Sequence, residues 1–349
     1  MKVLVTGSHG YIGTVLVPML IAEGHDVIGY DSDLYQKCTF TCTVPEIEFI
    51  GKDIRDIETH DLDGINAVIH LAGLSNDPLG DYDPSLTIEI NEKASIKLAR
   101  LAKQAGIKRF LFASSCSNYG AAGSDFLTEE ANFKPITPYG VSKVKVEAIL
   151  FRMADRDFSP TFLRASTAYG VSPRLRFDLV TNNLAAWAFT TGRVYIKSDG
   201  SPWRPIVHVE DIARAYIAVL HAPRELVHNE AFNVGTTAEN YQVREIADLV
   251  KEIIPGCEIE YAPDAGPDKR CYRVDCNKIC RVLHNYKPQW TAHRGIEQLY
   301  SEYKKVGLTL EEFEGEKYKR IAHVKQLIKK GRLDSTLRWT NNHNDSNLM

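Results

Sequence analysis

Short apolar runs alternate with longer amphipathic stretches over the first half of the chain. Buried strands are predicted at the apolar runs 2–6, 26–30, 107–114 and 161–164. Stretches with apolar residues at helical spacing separate these runs, and the first of them extends from Gly13 to Gly24. Strands that alternate with helices predict an α/β fold with a parallel sheet.

A glycine-rich turn joins the first predicted strand to the first predicted helix. Gly7, Gly10 and Gly13 are spaced three residues apart, and glycine lets the backbone turn tightly and approach a pyrophosphate. The free N–H groups and the dipole of the helix N-terminus attract that anion. Asp31 follows the second strand at about the distance where a carboxylate accepts hydrogen bonds from an adenosine ribose. Because its charge repels a 2'-phosphate, the sequence favours NAD over NADP.

A tyrosine and a lysine lie about one helical turn apart in Tyr139-Gly-Val-Ser-Lys143. Residues at i and i+4 share a face of a helix, so the Lys143 ammonium can sit beside the Tyr139 phenol and favour its ionised form. An unperturbed tyrosine has a pKa of about 10, too high for a base at neutral pH, and a neighbouring cation brings that pKa toward working pH. The same spacing also occurs by chance on ordinary helices, so the pair alone predicts no chemistry.

The two motifs together resemble the extended short-chain dehydrogenase/reductase superfamily, in its branch of nucleotide-sugar epimerases and dehydratases. The resemblance covers nearly the whole chain and implies a Rossmann-type doubly wound parallel sheet that binds NAD, with a smaller C-terminal α/β substrate domain. It places Ser115 where a serine hydrogen-bonds the sugar oxygen that Tyr139 deprotonates, so the implied catalytic residues are Ser115, Tyr139 and Lys143. The implied cofactor contacts are Gly7, Gly10, Tyr11, Ile12, Gly13, Asp31, Asp53, Ile54, Leu71, Ala72, Gly73, Asn91, Ser114, Tyr139 and Lys143.

The residues after Ser115 distinguish among the reactions of this superfamily. By resemblance, the 4,6-dehydratases and the UDP-glucuronate decarboxylases carry a glutamate two residues after this serine, where this chain has Ser117. A dehydratase needs a carboxylate there to move the C5 proton, so that chemistry is disfavoured. Cys116 stands one residue before the position of the catalytic cysteine in 3,5-epimerases and, on a strand, would face the other side. The small neutral residues instead resemble those of 4-epimerases.

The resemblance therefore implies an NAD-dependent nucleotide-sugar epimerase that acts at C4 through a transient 4-keto intermediate. Two alternatives stay open: an NAD(P)H-dependent reductase of an NDP-4-keto-6-deoxy sugar, and a catalytically idle NAD(H)-binding regulatory module. Arginine suits diphosphate recognition because its planar fork holds two oxygens at once. The implied contacts to the nucleotide-diphosphate sugar are Ser75, Ser117, Thr167, Asn183, Arg204 and Arg270. Thr167 replaces the asparagine that 4-epimerases usually have, which leaves the sugar and the reaction subclass open.

Composition argues against several other classes of protein. The 349 residues carry a formal net charge of −3, which provides no broad basic footprint for nucleic acid or an anionic membrane. No segment approaches the roughly 20 apolar residues of a membrane helix, so we expect a cytoplasmic protein. The seven cysteines show no paired spacing, and no histidine stands at finger spacing beside Cys271, Cys276 and Cys280, so we expect neither a disulfide framework nor a metal site.

The pattern and the resemblance divide the chain into four expected parts. These are an NAD-binding domain at 1–170, most of the substrate domain at 171–308 with segments returning to the sheet, a helical extension at 309–340, and a disordered tail at 341–349. Residues 309–332 have no counterpart in minimal members of the superfamily, and we expect a solvated, partly amphipathic helix there. The resemblance also implies a homodimer formed through helices at about 84–105 and 139–157.

Overall fold

Strands and helices alternate along the chain, as the apolar pattern predicts. The computed structural model describes residues 1–40, 44, 46–75, 83–120, 125–266 and 271–340, so Arg270 and the expected tail at 341–349 lie outside the described residues. The strands are β1 (Lys2–Thr6), β2 (Asp26–Tyr30), β3 (Glu48–Ile50), β4 (Ala67–His70), β5 (Arg109–Ser115), β6 (Phe126–Leu127), β7 (Ser159–Ala165), β8 (Thr167–Tyr169), β9 (Arg193–Ser198), β10 (Trp203–His208), β11 (Glu230–Val234), β12 (Asn240–Gln242), β13 (Glu258–Gly266) and β14 (Arg273–Val274).

Helices connect most of these strands. They are α1 (Gly13–Ala22), α2 (Pro84–Thr87), α3 (Ala94–Gln104), α4 (Pro138–Met153), α5 (Val180–Thr191), α6 (Val209–His221), α7 (Arg224–Val227), α8 (Val243–Ile253), α9 (Asn277–Val282), α10 (Ala292–Val306), α11 (Leu310–Glu314) and α12 (Arg320–Lys329). A π-helical turn, Ile88–Lys93, joins α2 to α3. In the described part of the chain, no helix has the length and apolar character needed to cross a membrane.

A seven-stranded parallel sheet forms the centre of the protein, in the order β11-β7-β5-β4-β1-β2-β3. Val3 of β1 pairs with Val27 of β2 on one side and with Ala67 of β4 on the other. From β1 the chain builds outward first to β2 and β3 and then, from β4, in the opposite direction. This reversal opens a crevice at the carboxyl ends of β1 and β4. The predicted doubly wound α/β fold is therefore confirmed.

Alternating side chains bury both faces of the sheet. Val3 and Val5 of β1 pack on one face in a cluster with Leu16 of α1 and Ile212 of α6. Leu4 points to the opposite face, where the cluster includes residues of α3 and α4. A strand that is buried on both faces has a nearly continuous apolar sequence. This explains why polar and apolar residues do not alternate in the run at 2–6.

The second half of the chain forms smaller sheets above the carboxyl edge. Strand order β12-β10-β8 makes one sheet, and β13 pairs in parallel with β9. Their core includes Leu184, Ile196, Ile246 and Ile296. Strand β11 returns to the large sheet and pairs with β7.

The C-terminal extension differs from the expected solvated helix. Residues 309–332 form two helices, α11 and α12, and α12 is docked rather than solvated. Val324 and Leu327, spaced to share a helix face, are buried in the same cluster as Leu4 of the central strand. Leu337 joins this cluster with 1% of its surface exposed. The extension therefore packs on both halves of the molecule, since Phe313 of α11 lies in the core of the smaller sheets while α12 and Leu337 lie against the large sheet.

Candidate active site

A cavity of about 580 Å³ opens at the crevice where the strand order reverses. It extends from the glycine-rich turn after β1 to the residues that precede α5. Most of the predicted site residues line it: Gly7, Gly10, Tyr11, Ile12, Gly13, Asp31, Asp53, Ile54, Leu71, Ala72, Gly73, Ser75, Ser114, Ser115, Ser117, Tyr139, Lys143, Thr167 and Arg204. Two predicted site residues, Asn91 and Asn183, do not line this cavity.

The glycine-rich turn has the shape of an anion cradle. Gly7 has a left-handed φ of 73°, and a Cβ atom there would lie 2.7 Å from the backbone nitrogen of Ala72. A Cβ atom at Gly13 would lie 2.2 Å from the carbonyl oxygen of Gly7. Within the described residues, the N–H groups of Tyr11 and Ile12 donate to no acceptor, and both residues line the cavity. Exposed N–H groups at the start of α1 fit a dinucleotide pyrophosphate.

Two aspartates lie at the far end of the cavity from Tyr139. Asp31 accepts hydrogen bonds from the backbone N–H groups of His9, at 3.0 Å, and Asp33, at 2.8 Å. Burial raises the pKa of Asp31, and these bonds partly offset the rise. Arg55 holds the Asp53 carboxylate through two bonds of 2.9 and 2.6 Å, which outweigh burial and lower the pKa of Asp53. These positions fit an adenosine group.

Asn91 supports the cofactor half without lining the cavity. Its side chain accepts a hydrogen bond from the backbone N–H of Leu74 at 2.7 Å and donates one to the Leu74 carbonyl at 2.9 Å. Asn91 is 1% exposed. It therefore fixes the turn after β4, and its contact with the cofactor stays a prediction of the resemblance.

Ser115, Tyr139 and Lys143 all line the cavity. The Lys143 ammonium lies 5.5 Å from the centroid of the Tyr139 ring and 4.7 Å from that of Phe112. Burial lowers the pKa of Lys143 to about 8, and the charge of Glu147 opposes this shift. The Ser115 hydroxyl oxygen accepts bonds from the N–H and the hydroxyl of Ser117, at 3.1 and 2.9 Å. In both bonds the Ser115 oxygen is the acceptor. The hydroxyl proton of Ser115 therefore stays available for a hydrogen bond to a group in the cavity.

A buried ion pair beneath this group was missed by sequence reasoning. Glu147 lies one turn after Lys143, and Arg164 lies on β7 with its Nη2 atom 2.7 Å from the Glu147 carboxylate. Ser114 and Asn118 also donate to this carboxylate. The network ties α4 to β5 and β7 and so fixes the helix that carries Tyr139. The one signal in the sequence was an arginine inside an otherwise apolar strand.

Cys116 points away from the cavity. It is fully buried, and its thiol donates to the carbonyl oxygen of Arg164 at 3.1 Å. Burial raises the pKa of Cys116 to about 12, so the thiolate is not available at neutral pH. Cys116 packs in a cluster with Tyr119, Tyr272 and Cys276. The predicted orientation is therefore confirmed, although Cys116 does not lie on β5 and instead begins a 3-10 turn, Cys116–Tyr119.

Two arginines lie on the substrate side of the cavity. Arg204 is 8% exposed and also lines an adjacent hollow of about 470 Å³, which Asn183 shares. Arg176 was not predicted. It donates to the Ser75 hydroxyl at 2.9 Å and pairs with Asp178 at 2.5 Å, and its charge interacts with that of Tyr139. The only signal of this basic cluster in the sequence is a second arginine, Arg174, two residues before Arg176.

The docked extension also contributes to the cavity. Arg320, the first residue of α12, and Leu337 both line it. Sequence reasoning missed both because a charged helix at the end of a chain gives no local sign of what it packs against. The cavity is therefore lined by residues from the first half of the chain, from the substrate half and from the C-terminal extension.

A doubly wound sheet, a glycine-rich cradle and a Ser-Tyr-Lys group in one crevice define a dinucleotide-dependent enzyme of the short-chain dehydrogenase type. The family comparison agrees with this class. The chain belongs to the NAD dependent epimerase/dehydratase family, whose model matches residues 3–235. The expected superfamily is therefore confirmed, and so, at the level of the family, is the dependence on NAD.

Several characterised proteins are similar over most of the chain. UDP-glucose 4-epimerase of Lactobacillus helveticus is 30% identical over 321 residues, covering 86% of this chain and 94% of the relative. The structure of MoeE5 in complex with UDP-glucuronic acid and NAD has a TM-score of 0.76 at 27% identity, covering 87% and 99% of the two chains. That of Thermus thermophilus UDP-glucose 4-epimerase in complex with NAD has a TM-score of 0.74 at 25% identity, covering 87% and 99%.

Proposed function

We propose that this enzyme interconverts C4 epimers of a nucleoside-diphosphate sugar, with a UDP-sugar as the first substrate to test. One observation carries the proposal: Ser115, Tyr139 and Lys143 line one cavity, while Ser117 occupies the place of the carboxylate that the resemblance assigns to dehydratases. Similarity to UDP-glucose 4-epimerases supports the same reaction.

The residues of the cavity suit reversible oxidation at C4. NAD, which the glycine-rich turn and Asp31 would hold, would supply the redox chemistry, a reversible hydride transfer at C4 of the sugar. Tyr139 takes the proton of the 4-hydroxyl during oxidation and returns it during reduction. Lys143 holds a positive charge beside the phenolate, and Ser115 donates to the same sugar oxygen because its own oxygen already accepts from Ser117.

The surrounding carboxylates do not favour dehydration. Asp178 lines the cavity on the sugar side, yet Arg176 binds both of its carboxylate oxygens. An acid held in this way is a poor proton acceptor, because removal of its charge would leave a nearly buried guanidinium unpaired. We therefore assign Asp178 to positioning Arg176.

The remaining substrate contacts are part of the proposal. Thr167 and Ser117 would contact the sugar, and Arg204 the diphosphate, since all three line the same cavity. Asn183 would contact the nucleotide from the adjacent hollow. Ser75 would act through Arg176, to which it is bonded. Arg270 keeps its assignment as a second diphosphate contact on the resemblance alone.

An activity assay without added cofactor tests this function. Purified enzyme would be incubated with UDP-glucose, UDP-N-acetylglucosamine or UDP-glucuronic acid, and the products separated by chromatography. We expect one of these to yield its C4 epimer, and mass spectrometry of the denatured enzyme to show released NAD. Tyr139→Phe, which removes only the phenolic hydroxyl, is the matched control and should lose at least about 100-fold in kcat.

Different outcomes would favour the two alternatives. An empty cofactor site together with oxidation of added NADH or NADPH by a 4-keto-6-deoxy sugar would indicate the reductase. Tight NAD binding with no turnover of any sugar nucleotide, and equal behaviour of Tyr139→Phe, would indicate a regulatory module.

A homodimer in the cytoplasm completes the proposal. Ile88, Val141 and Phe151 are exposed apolar side chains on the two helical segments that the resemblance places in a dimer interface, with Phe151 59% exposed. The six cysteines of the described residues are all free, as in proteins of a reducing compartment. Light scattering at micromolar concentration should give twice the chain mass of 39.2 kDa, and a monomer would refute the dimer.

A further inference from the structure

Residues 320–340, here called the C-terminal strap, cross the end of the cavity that holds Asp31 and Asp53. The Trp339 indole donates to the Ser32 carbonyl at 2.6 Å, and Arg55 donates to the Thr336 carbonyl at 2.9 Å. Arg338 pairs with Asp56. These contacts hold the end of the strap to the loops that follow β2 and β3. The start of the strap is held by α12, whose Val324 and Leu327 are buried in the core of the large sheet.

Arg320 begins the strap and is a buried cation facing the cavity. It is 8% exposed, and its guanidinium carbon lies 4.2 Å from the centroid of the Tyr35 ring. Its Nη2 atom donates to the Arg174 carbonyl at 3.4 Å, and its Nε atom is buried without a partner. Among the described residues, no carboxylate lies within ion-pair distance of Arg320.

The residues around Arg320 leave its positive charge uncompensated. Arg176 is close enough for charge repulsion, while the nearby acid Asp178 is already bound to Arg176. Burial, followed by repulsion from Arg176, lowers the pKa of Arg320. Buried guanidinium groups are normally paired. A cavity-lining guanidinium with a buried, unpaired Nε and no carboxylate partner among the described residues is therefore a candidate anion site.

The anion that fits this position is a diphosphate. The unpaired N–H groups of Tyr11 and Ile12 and the guanidinium of Arg320 line the same cavity. Both the dinucleotide and the nucleotide sugar of the proposed function carry a diphosphate, and an arginine fork binds two of its oxygens at once. The contacts of the strap with the Asp31 and Asp53 loops favour the dinucleotide.

We propose that Arg320 is a diphosphate-binding residue, supplied by the C-terminal strap to complete the anion site that the glycine-rich turn begins. The inference rests on the nucleotide-binding part of the proposed function and is independent of C4 epimerisation. Losing this arginine should weaken the binding of a nucleotide while leaving the rest of the cavity in place.

Binding measurements on Arg320→Gln test the proposal without requiring turnover. Bound NAD per chain would be measured after gel filtration, and the affinities for NAD and UDP by calorimetry. We expect the affinity for one ligand to fall about tenfold or more, because a charge-assisted contact is lost. Loss of NAD affinity identifies the dinucleotide diphosphate, and loss of UDP affinity identifies that of the substrate. Lys329→Gln, an exposed position on the same helix, removes one charge as a control.

Unchanged affinities for both ligands in a folded Arg320→Gln protein would overturn the proposal and leave Arg320 a structural residue. Should that variant fail to fold, Arg320→Lys decides the question. Lysine keeps the charge and loses the two-oxygen fork, so we expect weaker binding of the same ligand. An Arg320→Lys protein with both wild-type affinities would equally contradict the proposal. Failure of the epimerase assay alone would leave these results unaffected.

Discussion

Glu147 provides a quantitative test of how the catalytic helix is held. Its side chain is 6% exposed, and its partner Arg164 is 8% exposed. Glu147→Gln removes the negative charge and leaves the guanidinium of Arg164 buried without a counter-charge. Breaking a buried pair on one side costs about 3–5 kcal/mol. With about 2.1 cal/mol/K of unfolding entropy per residue, over 349 residues this lowers Tm by about 4–7 °C.

Thermal unfolding followed by circular dichroism measures this change. Glu258→Gln is the matched control, since Glu258 pairs with Lys251 at 2.5 Å while both side chains are well exposed and lie outside the proposed dimer interface. We expect the control to leave Tm unchanged, because exposed pairs are screened by solvent. A double variant, Glu147→Leu with Arg164→Met, should recover much of the loss because neither charge of the pair remains buried without the other. If Glu147→Gln unfolded at the temperature of the control, the pair would not hold α4 as described.

Further predictions concern pH, the thiol and cofactor choice. Lys143 works in its charged form and has a pKa of about 8, so kcat/KM should fall as pH rises through that value. Because Glu147 raises that pKa, Glu147→Gln should move the fall to lower pH, and a pH–rate profile of both proteins checks the direction. Cys116→Ala should keep the turnover of the wild type, and its free energy of unfolding, measured with urea, should be about 1 kcal/mol lower. A large loss of turnover would instead show that the thiol takes part in catalysis. Asp31→Asn should raise the affinity for NADP relative to NAD about tenfold in calorimetric titrations, as removal of one repelling charge allows; an unchanged preference would remove Asp31 from cofactor selection.

Local signals in the sequence were sufficient to predict the elements that begin the large sheet. A buried run, a glycine-rich turn and a helix lie next to one another in sequence, so β1, α1 and β2 could be predicted within a residue or two. Tyr139 and Lys143 share a helix face for the same local reason. The inward orientation of Cys116 was predicted from strand alternation, although the strand ends at Ser115 and a 3-10 turn begins at Cys116.

Contacts between distant segments could not be predicted. Arg320 reaches the cavity only because Val324 and Leu327 dock on a sheet that begins more than 300 residues earlier. Arg176 and Glu147 are ordinary charged residues in sequence, and their importance comes from a partner brought close by the fold. Asn183 carries a recognisable motif, yet its side chain donates to the Phe177 carbonyl at 2.8 Å and lines a neighbouring hollow.

The central claim is that hydride leaves C4 of the sugar and returns to the same molecule. UDP-glucose labelled with deuterium at C4, or the accepted sugar nucleotide similarly labelled, would be converted without added cofactor and the product analysed by mass spectrometry. Internal return predicts a C4 epimer that keeps its deuterium, with no label entering from deuterated water at that carbon. Loss of the label, or turnover only with a supply of reduced cofactor, would contradict the epimerase account.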